Sequence, residues 1–306
     1  MKSVIYAGSG KHCFITGHIY EPVGEQKGII YFAHGVTEYA RRHEKFFKYL
    51  CDLGYVIVAN DHMGHGESVN DHPCYFQSDN EKDMSGWECA VTDAYNFIQM
   101  MCGEYPNLPV YGIGFSLGSF IVRHLAIDYP DLFKSIVLLG TGYQSKIATS
   151  LGKMMAQSEG KKHGKDKQTA QIDKLTFGTY NKNFIGETKA DWLCSNSTVV
   201  KEYLEDNQCG SGFTAGLFND LLSGMEYTCN RQNIKKMNKE CPVLLLSGSK
   251  DPVGDCGKGV KKLQSIYEAV GISAKCRLYS GCRHDILHDK AMNHVYIDIA
   301  NFIMKE

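Results

Sequence analysis

No stretch of this 306-residue chain approaches the roughly 18 consecutive apolar residues that a membrane-spanning helix requires. Proline is scarce, 7 residues against 31 glycines, which excludes a Pro-rich or collagen-like chain and suits a compact domain with many tight turns. Neither sign of charge dominates. The chain has 33 Lys+Arg against 34 Asp+Glu, so it has no basic footprint for nucleic acid and no acidic tail. Met1–Ala7 lacks an apolar core followed by a small-residue cleavage site, so no signal peptide is read. Internal repeats and low-complexity tracts are missing too. The 12 cysteines include no C-x-x-C pair and often have apolar neighbours, as at Cys51, Cys89, Cys102 and Cys241. Free thiols in a reducing cytoplasm are therefore expected. Cys276, Cys282 and His284 are poorly spaced for a metal knuckle, and neither a metal nor a cofactor is predicted. The expectation is a soluble, cytoplasmic protein whose oligomeric state the sequence leaves open.

Short apolar or β-branched runs are present in number. They predict strands at 14–20, 29–34, 56–60, 110–115, 135–139, 243–247 and 275–279, several of them apolar throughout, as in a parallel sheet covered on both faces. Amphipathic stripes lie between them. Phe46, Phe47, Leu50 and Leu53 form one, closed by Gly54; Val91, Ala94, Tyr95 and Ile98 form another. Leu263, Ile266, Tyr267 and Val270 make a third, and Met292, Val295, Tyr296, Ile299 and Phe302 a fourth. The alternation predicts an α/β fold with right-handed crossovers. It fails across 143–230, a polar and mostly helical stretch that reads as a cap inserted between two late strands, over a core of 1–142 and 231–306. The basic run Lys161–Lys167 reads as a solvated face.

One motif carries the chemistry. After the strand at 110–115 comes Gly114-Phe115-Ser116-Leu117-Gly118, followed by a helical pattern from Ser119 to Asp128. This is G-x-S-x-G in a strand–turn–helix context, and no other serine has glycine at both ±2. The tight turn presents the Ser116 hydroxyl at a helix N-terminus and aims the Leu117 N–H where an oxyanion would form. A phosphate-binding loop would need a third glycine or a following lysine, and neither is there. A serine hydroxyl needs a base, and the base an orienting acid. Asp251 follows the strand at 243–247 and His284 the strand at 275–279, so both sit just past strand ends. Asp255, inside a Gly-rich loop, is the rival acid. His288 is the rival base and reads as a surface or helix-start residue. The second oxyanion donor is assigned to the Val36 N–H in His34-Gly35-Val36, with His34 holding that loop. Asp61-His62-Met63-Gly64-His65-Gly66-Glu67-Ser68 reads as a structured loop rather than a metal site.

Together with Gly248-Ser249-Lys250-Asp251 and Gly281-Cys282-Arg283-His284, these motifs resemble the α/β-hydrolase superfamily, in its bacterial-type branch of monoacylglycerol lipases, lysophospholipases and serine-aminopeptidase-like enzymes. The resemblance implies the α/β-hydrolase fold, a cytosolic or peripherally membrane-associated serine hydrolase with an Asp and a His, no cofactor, and a cap that shapes substrate choice. The elbow departs from many relatives in having Phe115 where they carry His and Ser119 where they carry a second Gly.

The expected activity is hydrolysis of carboxylic esters of short to medium acyl chain, monoacylglycerol- or lysophospholipid-like, through Ser116, His284 and Asp251. A peptidase or amidase is the alternative within enzymes. An aminopeptidase would hold its substrate amine with cap acids, and Glu187, Asp191, Glu202, Glu205 and Asp206 are available. A ligand-binding protein on a hydrolase scaffold is the alternative outside them. Ile147, Leu151, Met154 and Met155, at helical spacing near the start of the cap, fit an acyl-pocket lining, peripheral contact with lipid, or packing of cap on core.

Overall fold

The computed structural model describes residues 1–70, 73–76, 78, 83–184, 186 and 188–306. Its centre is one eight-stranded sheet, with strands β1 (Lys2–Ala7), β2 (Phe14–Tyr20), β3 (Gly28–Ala33), β4 (Tyr55–Asn60), β5 (Val110–Phe115), β6 (Ser135–Leu139), β7 (Val243–Gly248) and β8 (Ala274–Tyr279). The order is β1-β2-β4-β3-β5-β6-β7-β8. β3 to β8 run parallel, and β2 joins antiparallel to β4 with β1 antiparallel at the edge. The expected strands are present to within one residue at either end. β1 was not anticipated from the sequence. As an edge strand it is mostly solvated, with Ile5 turned outward while Val4 and Tyr6 pack on the core.

Helices α1 (Glu44–Asp52), α2 (Gly86–Glu104), α3 (Leu117–Asp128), α10 (Lys258–Glu268) and α11 (Met292–Ile303) flank the sheet. Between β6 and β7 lie α4 (Lys146–His163), α5 (Ala170–Leu175), α6 (Phe177–Tyr180), α7 (Ser197–Glu205), α8 (Ala215–Cys229) and α9 (Arg231–Ile234). α2 starts five residues before its apolar stripe because Ser85 and Glu88 form a capping box, each side chain accepting from the other's backbone N–H.

The pleat of β3 divides the core. Ile29, Tyr31 and Ala33 join one apolar cluster with α2, α3 and α8, while Ile30 and Phe32 join the other with α1 and α11. Since α8 shares the first cluster, the segment between β6 and β7 is welded to the sheet's helical layer at that helix. Arg123 of α3, fully buried, strengthens the weld. Its guanidinium donates to the carbonyls of Gly142 (3.1 Å) and Thr228 (2.8 Å), at the start of that segment and in α8. A small third cluster, including Trp192, Leu193, Val200 and Tyr203, belongs almost wholly to that segment.

Chain direction along the sheet reverses at β3. β4 lies on one side and β5 on the other, which opens a crevice at the carboxyl ends of β3 and β5. The first turn of α3 meets the end of β3 closely there: a Cβ on Gly118 would lie 2.0 Å from the Ala33 carbonyl oxygen. Gly118→Ala must push main chain apart, and we expect a loss of about 3 kcal/mol, in the upper range for overpacking. Urea unfolding checks this: a lower midpoint at unchanged slope is expected, and an unchanged midpoint contradicts the packing described.

Candidate active site

β5 ends in a turn that only a constrained residue can make. Ser116 has φ 52° and ψ −117°, in the left-handed half of the map, a strained conformation for a residue with a side chain. The turn is held by Ser116 N–H donating to Leu139 O at 2.9 Å and by Ser119 Oγ donating to Ser116 O at 2.6 Å. Ser119, where many relatives of the resembled type carry glycine, thus braces the elbow. Gly114 is equally forced, since a Cβ there would meet Gly118 O at 2.4 Å.

Beside the elbow, the loop after β3 is pinned atom by atom. His62 N–H donates to His34 Nε2 at 2.9 Å, so the His34 proton sits on Nδ1 and is donated to Gly35 O at 2.7 Å. In a trans peptide the N–H opposes the C=O, so fixing the Gly35 carbonyl turns the Val36 N–H the other way. Gly118 N–H and His62 Nε2 both donate to His34 O, at 3.0 and 3.1 Å, which ties this loop to the start of α3. Neither the Val36 nor the Leu117 N–H is taken by an acceptor among the described residues. Burial, and then the neighbouring histidines, hold His34 well below the usual imidazole range; burial and His65 push His62 down to about 3. These rings are neutral structural struts. Asp61 organises the same loop, accepting from Ala40 N–H and Glu67 N–H, each at 2.8 Å.

Asp251 and His284 come together as expected. His284 Nδ1 lies 2.9 Å from Asp251 Oδ1, and both side chains are buried. Val253 N–H (2.9 Å) and Ser247 Oγ (3.1 Å) donate to the same carboxylate and fix its orientation. The imidazole rests over the end of β6, where Gly140 has φ 57° and a Cβ would lie 2.8 Å from His284 Cε1. Phe115 and Trp192 flank the ring, with centroids 5.0 and 5.1 Å away. His284 Nε2 is buried with no hydrogen-bond partner among the described residues, so its link to Ser116 Oγ is not closed in this structure. Burial opposes protonation of His284, but the carboxylates of Asp251, Asp285 and Glu38 together outweigh it and raise the imidazole above its ordinary value. A neutral Nε2 can accept a proton, and the Asp251 contact stabilises the resulting imidazolium.

The rivals stand apart. Asp255 is exposed, at φ 49°. His288 is half-buried rather than on the surface, its Nδ1 2.9 Å from Asp285. Gly140 and Trp192 were not assigned a part from the sequence. Gly140 had a signal, a glycine directly after an apolar strand; nothing in the spacing marks Trp192.

The segment between β6 and β7 contacts this ensemble. Leu193 O accepts from Asp285 N–H at 2.7 Å, and Arg283, stacked on Phe184 at 4.5 Å, donates to Asp191 O and Cys194 O. Tyr203 of α7 lies 2.8 Å from Thr37 Oγ1, beside Val36. Trp192 and Tyr203 also belong to the wall of a cavity of about 700 Å³ within that segment, whose charged lining residues are Asp173, Lys174 and Lys189.

A family model described as Hydrolase_4, serine aminopeptidase, S33, matches residues 24–291. The chain belongs to this family. It is similar to a monoglyceride lipase of Homo sapiens, 26% identical over 272 residues that span 88% of this chain and 78% of the relative. A monoacylglycerol lipase of Mycolicibacterium smegmatis is 23% identical over 299 residues, spanning 95% of this chain and 92% of the relative. Among solved structures, a thermostable carboxyl esterase of Bacillus coagulans in complex with glycerol matches with a TM-score of 0.88 at 20% identity, covering 99% of this chain and 98% of that one. The expected α/β-hydrolase of the monoacylglycerol lipase and serine-aminopeptidase-like branch is borne out, and with it an enzyme of the hydrolase class.

Two outcomes follow from the geometry. Turnover that uses neutral His284 falls as pH drops, and because the imidazole is raised, the midpoint of that limb in kcat/KM lies above 6.5. A midpoint below that value, or a flat profile, contradicts the pairing. Gly140→Ala displaces the ring, and kcat for an activated ester should fall on the order of 100-fold, while the circular-dichroism spectrum is retained.

Proposed function

We propose that the protein is a serine hydrolase of carboxylic esters, monoacylglycerol- or lysophospholipid-like, with short to medium acyl chains. The observation that carries this reading is the buried Asp251–His284 pair, with its open Nε2, beside a strained serine at the end of β5. His284 Nε2 takes the Ser116 proton as Oγ bonds to the ester carbonyl carbon. The Val36 and Leu117 N–H groups hold the oxyanion, and His284 then protonates the departing alcohol oxygen. Water repeats the sequence on the acyl-enzyme, releasing the acid and restoring Ser116. No cofactor enters this scheme.

We assign 143–230 as a cap on a core of 1–142 and 231–306. The cavity behind Trp192 and Tyr203 has the size of a small-ligand site and suits the acyl or glycerol part of such an ester. The aminopeptidase alternative loses ground here. Asp191 is spent on Thr188 and Asp206 on the Tyr39 hydroxyl, while Glu202 and Glu205 are exposed. Glu187 lies outside the described residues. The cavity itself carries two lysines against one acid, a poor receptor for an ammonium group.

Contact with lipid belongs to the same reading. The apolar stripe of α4 does not pack on the core: Ile147, Leu151 and Met154 are 84%, 58% and 67% exposed, with Lys146, Lys161 and Lys162 exposed on the same helix. Such a face suits peripheral attachment to an anionic surface, where esters of this class reside. All 12 cysteines are free, which supports a cytoplasmic setting, and no helix among the described residues is long and apolar enough to cross a membrane.

Intact-mass analysis after a fluorophosphonate should show one adduct that is lost in Ser116→Ala, with p-nitrophenyl ester turnover peaking at one chain length. No adduct and no turnover would favour the ligand-binding alternative instead. In flotation with vesicles containing phosphatidylglycerol, replacing Ile147, Leu151 and Met154 together by serine should release the protein; undiminished binding contradicts the lipid contact.

A further inference from the structure

A second polar network, which the triad does not use, joins the two loops that flank Ser116. Glu38 is buried and accepts from Gly35 N–H at 2.6 Å and from His43 Nε2 at 3.0 Å. Its other oxygen lies 3.0 Å from Arg42 Nη1, and the same guanidinium is 2.7 Å from Asp285 Oδ2. Asp285 directly follows His284 in the chain. His288 closes the circuit, with Nδ1 on Asp285 at 2.9 Å and Nε2 3.3 Å from Arg42 O. The run of contacts therefore leads from the N–H of Gly35, one residue before the Val36 donor, to the residue beside the imidazole.

The geometry points to Glu38, Arg42 and Asp285 as positioning residues that hold the Gly35–Val36 loop and the His284 loop in fixed relation, so that oxyanion donor and base move as one unit. This rests on the serine-hydrolase reading above.

Three physical facts support it. Buried charges persist only when paired and hydrogen-bonded, and here one guanidinium bridges two carboxylates on different loops. Burial disfavours both carboxylates, yet His43 and Arg42 hold Glu38 below its usual range, and His288 and Arg42 hold Asp285 well below it. The Gly35 peptide is also fixed from both sides, its N–H by Glu38 and its C=O by His34. Position 35 suits glycine for the same reason, since a Cβ would lie 2.9 Å from Glu38 Oε1.

The charges acting on His284 give a signature that simple structural support would not. Asp251, Asp285 and Glu38 favour its protonation. Around them stand Arg42, His43 and His288, while Arg283 is turned away to the carbonyls of Asp191 and Cys194. Asp285→Asn removes a negative charge and leaves Arg42 with Glu38 alone, so the acid limb of kcat/KM should move to lower pH by about half a unit or more. Arg42→Gln removes the positive charge that Glu38 and Asp285 share and should move the limb to higher pH. The double variant should lie between them. Arg42→Lys keeps the charge but loses the planar guanidinium whose Nη1 touches both carboxylates; the limb should stay in place while kcat falls on the order of 10-fold or more and KM changes little.

Opposite shifts in the two single variants, with the kcat loss in Arg42→Lys, establish the tether. If either single variant fails to fold, the double variant and Arg42→Lys decide: wild-type kcat in both overturns the inference. Shifts in the same direction, or none, in folded and active single variants overturn it too. Absence of a Ser116 adduct and of ester turnover in the wild type would instead defeat the hydrolase reading itself.

Discussion

The contact between Gly118 and the end of β3 governs the rest of the structure. With 2.0 Å between a hypothetical Cβ and the Ala33 carbonyl oxygen, the first turn of α3 can rest on β3 only if residue 118 has no side chain. That contact, sealed by Gly118 N–H on His34 O, places the Ser116 turn beside the His34–Val36 loop. Sheet order does what remains: β3 and β5 are neighbours at the reversal point, and β7 and β8 follow beyond β6. From the β5 end, Asp251 then lies one strand further than β6 and His284 two, and Gly140 at the end of β6 leaves room for the imidazole.

Around this crevice the polar groups divide between two tasks. His34, His62 and Asp61 are buried and fix backbone, and the histidines among them stay neutral because burial holds their basicity down. His284 is equally buried, but the carboxylates of Asp251, Asp285 and Glu38 together reverse the direction of its shift. For a buried imidazole the direction of the shift is set by the balance between lost hydration and the carboxylates around it. The segment between β6 and β7 adds an aromatic neighbour: Trp192 lies on the ring, and the main chain beside it is hydrogen-bonded to the His284 loop.

Much of this was legible in the sequence because it depends on local pattern. Apolar runs gave seven of the strands, and G-x-S-x-G between a strand and a helical stripe located the elbow. Asp251 and His284 were legible because each follows a strand closely. What was not legible depends on contacts distant in the chain. β1 is an edge strand with four of its six residues exposed, so it carries little apolar signal. The stripe Ile147, Leu151, Met154 has helical period whether it packs or projects, and only the structure shows it projecting. The tie from Glu38 through Arg42 to Asp285 crosses more than 240 positions, a separation no motif spans. Phe115, the departure at the elbow, is buried and packs against His43 and His284.

The central claim is that Ser116, His284 and the N–H groups of Val36 and Leu117 converge on one reacting carbon. A crystal structure of the fluorophosphonate-treated protein tests it most directly. The account predicts phosphorus bonded to Ser116 Oγ, with the phosphonyl oxygen about 2.7–3.1 Å from both N–H groups and His284 Nε2 turned toward the adduct. A phosphonyl oxygen held by other groups, or an adduct on another residue, would contradict it.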